Sequence, residues 1–176
     1  MYPNDSEKHA YAMKILQRKA RDHARTPVQW DDSAHAGFTS TEAKPWMRVN
    51  DDFKEVNVAA QINGPRASES VHAFWKRSLE LRKKEKEVYV YGDFELLDHE
   101  EDPHKLEVLA YRRWSKDRNV VVILNFSGKS LQWKLVDGMK VNKWSVGNYD
   151  EKDLHGKATS GLVELKPWEA LVGEIE

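Results

Sequence analysis

Arg21 and Arg25 stand four residues apart around Asp22 and His23, and Gln29 and Trp30 follow the Thr26-Pro27 step. A guanidinium is permanently charged and donates from a rigid fork. An amide both donates and accepts, and an indole presents a flat apolar face. Fixed charge, a rigid turn and an aromatic plate suit a site that orients a polyhydroxylated ligand. On spacing alone, an ion pair between Arg21 and Asp22 or another local carboxylate accounts for the charges at least as well.

The elements around this stretch can be read from period and punctuation. Tyr11 and Ile15, and Ala12 and Leu16, are four apart, which predicts a helix over Ser6–Ala20 capped by Asp5 or Ser6. Thr26-Pro27 should stop it, because proline disfavours helix at the residue before it. Residues 27–67 show no sustained period and contain Pro27, Gly37, Pro45, Gly64 and Pro65. We expect a long ordered loop laid over a neighbouring scaffold and anchored by Trp30, Phe38, Trp46 and Phe53. A second helix is predicted over Ser68–Lys84, with Ser68 as cap and Val71, Phe74, Trp75 and Leu79 on one apolar face that Leu81 widens. Lys83, Lys84 and Lys86 suit its C-terminal dipole.

From Val88 onward the period becomes two. Expected strands are Val88–Tyr91, Phe94–Asp98, Leu106–Trp114, Val120–Asn125, Leu131–Leu135, Lys143–Ser145, Gly161–Leu165 and Ala170–Glu174. Their close spacing and intervening turn residues point to an antiparallel sandwich.

With 176 residues, the chain suffices for one ordinary domain, or for one small domain plus an appendage. A hydrophobic share of 40% and seven Trp argue against disorder. The net charge of −1 gives no basic excess for nucleic acid or an anionic membrane, so neither is expected as a partner. Cysteine is absent, which excludes disulfides and a zinc–thiolate site and leads us to expect a cytoplasmic location. The first residues lack the basic-then-apolar pattern of a signal segment. Val120–Leu124, the longest apolar run, is too short to cross a membrane as a helix.

Other constellations attract a chemical reading and lose it. His99 and His104 are five apart with Pro103 between them, not four apart on a helix face, so a hairpin turn explains them better than a metal. Asp31-Asp32, Asp51-Asp52 and Asp150-Glu151 are adjacent pairs whose side chains diverge; we read them as surface turns. Trp114, Trp133, Trp144 and Trp168 could form a sugar-stacking platform, but aromatics at strand period are more often core, and Trp133 shares a face with Leu131 and Leu135.

Several motifs in order carry a resemblance through the whole chain. Arg21–Trp30 has the form RDxxRTPxQW; Asp31-Asp32 and Ala36-Gly37-Phe38 continue it as WDD…AGF. Pro45-Trp46 with Val49-Asn50, then Asn57-Val58 with Gln61, follow. Phe74-Trp75-Lys76 and Leu79–Lys83 come next, and Leu124–Ser127 and Leu165–Ala170 close the series. Together they resemble the C-terminal part of the α-glucosidases of glycoside hydrolase family 13: maltases, isomaltases and oligo-1,6-glucosidases.

The resemblance implies an α+β chain in two parts. Residues 1–86 would be the C-terminal remnant of a catalytic (β/α)8 barrel, comprising a helix, a long active-site-side loop and the last barrel helix. Residues 87–176 would be an antiparallel β-sandwich. It also implies a retaining glycosidase acting on terminal α-1,4 or α-1,6 glucosidic bonds of a small oligosaccharide substrate. The family's catalytic Asp, Glu and Asp follow earlier barrel strands, and none of their motifs occurs here. We therefore expect no catalytic residue in this chain, a truncated enzyme inactive by itself, and no cofactor or metal. Arg21 matches the arginine that reaches subsite −1, where it would pair with an upstream aspartate and bind sugar hydroxyls. His23, Arg25, Gln29 and Trp30 would line the pocket entrance or fix the loop. The surface built for the rest of the barrel should favour self-association. The competing expectation is a free-standing sandwich that binds carbohydrate or docks on a barrel supplied by another chain.

Overall fold

The structure, a computed structural model, describes residues 6–97, 103–104, 106–149, 154 and 160–176. The chain divides into two compact units, Met1–Ala67 and Ser68–Glu176. The expected boundary between residues 86 and 87 lies further along, past the helix that starts the second unit.

In the first unit, α1 spans Ser6–Lys19 and buries none of its residues within this chain. The stretch expected to be aperiodic holds one short helix, α2, Val58–Asn63. Asn57 makes that helix: its side chain accepts from Ala60 N at 2.7 Å and donates to Phe53 O at 2.8 Å. The rest of residues 27–57 is turns and 3-10 segments, as the absence of period implies. Of the expected anchors, Trp30, Phe38 and Trp46 are exposed within the chain and Phe53 is half-buried.

The second unit begins with α3, Val71–Lys84. Its cap is Ser70, not Ser68: Ser70 Oγ accepts from Ala73 N, whereas the Ser68 carbonyl accepts from Arg77 Nη1. The single apolar face expected for α3 is split. Phe74 and Leu81 are half-buried, while Val71, Trp75 and Leu79 form an exposed stripe with Trp75 61% accessible.

Val88–Tyr91 is no strand; Lys86–Tyr89 is a short helix, α4. Alternation of Val88 and Val90 mimics period two, but only Val88 is buried. Tertiary contacts decide the conformation. Arg113 donates to Tyr89 O at 2.9 Å, Val90 O at 3.3 Å and Gly92 O at 2.8 Å, and Arg82 donates to Tyr89 O at 2.8 Å. These guanidiniums occupy the carbonyls that a helix end leaves unpaired.

Among the described residues seven strands follow: β1 Asp93–Leu96, β2 Val108–Trp114, β3 Asn119–Asn125, β4 Leu131–Lys134, β5 Val141–Gly147, β6 Leu162–Leu165 and β7 Ala170–Ile175. All pairings among these strands are antiparallel, in a five-stranded sheet ordered β1-β2-β3-β7-β5 and a two-stranded sheet of β4 and β6. β2 starts later than expected, since Leu106 is 93% accessible, and Asp98 lies outside the described residues. β5 is longer at both ends than its expected core.

The two sheets share one core: Ala110, Val121, Ile123, Val141, Trp144, Leu171 and Ile175 from the larger sheet meet Trp133, Val163 and Leu165 from the smaller. Alternation places Leu131, Trp133 and Leu135 inward and Gln132 and Lys134 outward, as the period requires. Gly173 sits where Trp144 crosses β7; a Cβ there would lie 2.6 Å from Val141 Cγ1 and 2.9 Å from Trp144 Cε3. On the opposite face of β3, Val120 and Val122 are buried too, so the central strand is covered on both sides. α4 reaches this sheet through β2. Burial and the nearby carboxylates of Glu174 and Glu85 push the Tyr89 phenol up to about 12. Arg118 bridges those two carboxylates, at 3.1 Å to Glu174 and 3.5 Å to Glu85.

Arg113→Ala should strip three carbonyls of a charged donor and destabilise the chain by about 3 kcal/mol. Urea unfolding followed by circular dichroism measures this; a midpoint unchanged from the parent chain would show that α4 is held by other means.

Candidate functional site

α1 runs out at Lys19, and Ala20 N still bonds Leu16 O. Arg21 lies just past this end, followed by a 3-10 turn over Asp22–Ala24 in which Ala24 N bonds Arg21 O and Arg25 N bonds Asp22 O, both at 3.0 Å. Both arginines are exposed, and among the described residues neither guanidinium has a hydrogen-bond or ion-pair partner. The local pair of Arg21 with Asp22, an alternative left open by spacing, is not formed. His23 lies within the turn; its side chain is outside what is described. Pro27 is buried and ends the segment rigidly.

Gln29 has a different part. Its amide nitrogen donates to Asp52 Oδ1 at 3.2 Å and to Val56 O, and its oxygen accepts from Asn50 Nδ2 at 3.1 Å. Its backbone carbonyl accepts from Val58 N at 2.9 Å. Gln29 is therefore committed to fixing the loop that leads into α2. Trp30 is pinned through its backbone, with N bonded to Ala36 O at 2.8 Å and its carbonyl accepting from Ala59 N at 2.9 Å, while half its surface stays accessible. Asn50 and Asp52 were legible only as part of a motif and as a turn pair; that both serve Gln29 follows from contacts more than twenty residues apart in sequence.

Next to Trp30 the backbone turns left-handed for three residues, His35, Ala36 and Gly37, with φ of 55°, 57° and 65°. Each non-glycine residue there costs on the order of 1 kcal/mol. Asp31 holds the turn from below: its carboxylate accepts from Ser33 N and Ser33 Oγ. A Cβ at Gly37 would lie 2.7 Å from that carboxylate, so a side chain at the third position would have to displace Asp31 as well as take the left-handed backbone. Asp31 is thus a turn residue, as expected of the aspartate pairs, and Asp51 ion-pairs with Arg48. Among the described residues no three carboxylate, imidazole or thiol groups converge as a metal site. No helix is long and apolar enough to cross a membrane among them.

Of the tryptophans weighed as a platform, Trp133 and Trp144 are core. Trp114 is half-buried under Arg112, whose guanidinium carbon lies 4.8 Å from the ring centre. Trp168 alone of the four is exposed, at 61%.

The hydrogen bonds of Ser33 hold the Asp31 carboxyl below its ordinary value. A depressed carboxylate stabilises the fold above the unfolded value of about 3.9 and loses that contribution as pH falls through the folded one. Ser33→Ala should raise the Asp31 titration midpoint, read by carboxyl carbon NMR; an unmoved midpoint would mean the serine contacts are not made in solution.

The comparisons extend these motifs. Residues 2–92, more than half of the chain, match the family model for the alpha-amylase catalytic domain. An alpha-glucosidase of Schizosaccharomyces pombe is 39% identical over 91% of this chain and 26% of its own length. An oligo-1,6-glucosidase of Parageobacillus thermoglucosidasius is 37% identical over 93% of this chain and 27% of its own. Among solved structures, the isomaltulose synthase SmuA of Protaminobacter rubrum superposes with a TM-score of 0.77 at 32% identity, covering 94% of this chain and 28% of that one. A trehalulose synthase, MutB, gives a TM-score of 0.77 at 28% identity over 99% of this chain and 30% of its own. The chain spans about a quarter of the length of the curated relatives it matches.

Proposed function

Because the chain belongs to the alpha-amylase family, glycoside hydrolase family 13, and within it is related to α-glucosidases and oligo-1,6-glucosidases, we propose that it supplies the C-terminal part of an enzyme that hydrolyses terminal α-1,4 or α-1,6 glucosidic bonds with retention. On this reading residues 1–86 complete a (β/α)8 barrel and residues 87–176 form its companion sandwich. The sheets that share a core in the second unit support the latter assignment.

The observation that carries the proposal is that, among the described residues, both guanidiniums of the RDxxR motif lack a hydrogen-bond or ion-pair partner. A cation left unpaired on a rigid turn, beside a buried proline, is placed for a partner from elsewhere. Arg21 would bind the far hydroxyls of the non-reducing glucose and an upstream carboxylate, closing the pocket to longer chains. Arg25 and Trp30 would stand at its entrance, and Gln29 would keep the loop in place rather than touch sugar.

In the whole enzyme Arg21→Ala should lower kcat/KM for maltose about a hundredfold, the scale of losing one fixed donor to the reacting substrate. Steady-state kinetics decide it, and an unchanged value would remove Arg21 from the site. The 176-residue chain alone should not hydrolyse maltose, since the family's acid and nucleophile motifs are not in it; appreciable turnover by the purified chain would overturn the reading.

The exposed stripe Val71, Trp75 and Leu79 in the second unit and, separately, the exposed Tyr11, Leu16, Trp30 and Trp46 in the first are the surfaces we assign to contact with the remainder of the barrel. In isolation the chain should bind a hydrophobic dye or self-associate. A monodisperse, dye-silent monomer in sedimentation and fluorescence measurements would count against that assignment.

A further inference from the structure

The corner of the second unit that carries Trp168 has no part in the chemistry assigned to Arg21. Trp168 holds φ at +56°, in the left-handed region that an L side chain enters at a cost. The strain is over-determined. Trp168 N donates to Ser127 O at 3.0 Å, and Trp168 O accepts from Asn148 Nδ2 at 2.8 Å. The preceding carbonyl, of Pro167, accepts from the Tyr149 hydroxyl at 2.8 Å. A turn that needed only to close would be met at lower cost by glycine or asparagine. Here the position instead carries an indole and holds it outward. Its edge lies over Gly128, where an added Cβ would be 3.8 Å from Nε1. Tyr149 is exposed nearby, with the Lys166 ammonium 4.9 Å from its ring centre.

A concavity of about 440 Å³ lies where the start of β4 meets the end of β6, and Lys166, whose ammonium sits over Tyr149, is part of its lining. It starts at Ser130, two residues past Gly128, and ends at Lys166, two residues before Trp168. Ser130, Gln132, Glu164 and Lys166 line it over Leu131 and Leu165. Hydroxyl, amide, carboxylate and ammonium together offer donors and acceptors, and the two charges oppose each other. That lining suits a neutral polyhydroxylated ligand better than an anion or a cation. It also disfavours an apolar peptide, which needs a greasy groove. The volume falls within the range of small-ligand sites.

We propose that Trp168 and the adjoining cavity form a second oligosaccharide site, in which the indole stacks on a pyranose face and Gln132, Glu164 and Lys166 take its hydroxyls. The site lies within the 68–176 unit and does not use Arg21. Only the choice of a glucose oligomer rests on the glucosidase reading.

The test is titration of maltotriose into the 176-residue chain, observed through the tryptophan indole N–H signals and by calorimetry. Saturable binding should perturb the Trp168 signal and weaken about tenfold in Trp168→Ala, the scale of one lost stacking contact. Because Trp168→Ala removes a strained residue and could alter the turn, Gln132→Ala and Glu164→Gln, at exposed strand positions, serve as the second arm and should weaken binding too. Arg21→Ala should leave it unchanged. No binding at tens of millimolar maltotriose and of isomaltotriose, or equal affinity in all three corner variants, would overturn the site. Binding here together with an Arg21→Ala enzyme of undiminished kcat/KM would leave this site standing while removing the proposed subsite.

Discussion

Asn125 closes the second unit. It is buried at the end of β3, and every polar atom of its side chain is engaged: Nδ2 donates to Lys129 O and Lys166 O, each at 2.8 Å, and Oδ1 accepts from Ser127 N and Oγ. Its backbone N bonds Glu169 O at 2.8 Å. Glu169, also buried, returns a carboxylate oxygen to Lys166 N at 2.7 Å. Two chain segments, residues 125–129 and 166–169, therefore meet in one satisfied network. Asn148 adds a third by bonding Trp168 O and Ala170 N. A buried polar group that lacked any of these partners would cost 1–3 kcal/mol, so the network is tolerated only when complete.

This explains why two separate sequence signatures, Leu124–Ser127 and Leu165–Ala170, occur together. Each is the hydrogen-bonding partner of the other. The strained backbone of Trp168 is a consequence: the turn that brings Glu169 under Asn125 forces residue 168 to the left-handed side. What the turn does not require is an aromatic ring there, and that separates closure of the fold from the outward display of the indole.

The first unit depends on a similar device in a less buried setting. Gln29 spans from the arginine segment to the loop before α2, and Asn57 starts that helix. The polar side chains that look most chemical in Arg21–Trp30 thus divide by use. Gln29 is spent on structure, and Trp30 is fixed through its backbone. Among the described residues the guanidiniums of Arg21 and Arg25 have no hydrogen-bond or ion-pair partner, and the curated relatives are about four times longer than the match.

The sequence by itself determined where most elements lie, which residues of β4 and β6 face inward, and the family. Period and punctuation are local properties, and Leu131, Trp133 and Leu135 alternate whatever surrounds them. The motifs were legible for a related reason, since each is a contiguous run. Tertiary structure alone decided α4, where three carbonyls answer to Arg113 from a strand some twenty residues away and overrule an apparent period of two. It decided that α3 splits its apolar residues between a half-buried side and an open one. It also decided that Trp133 and Trp144 are core while Trp168 is not, because burial depends on what a partner strand places opposite. Hydrogen bonds between residues distant in sequence leave no local trace, and in this chain they fix both the loop around Gln29 and the turn at Trp168.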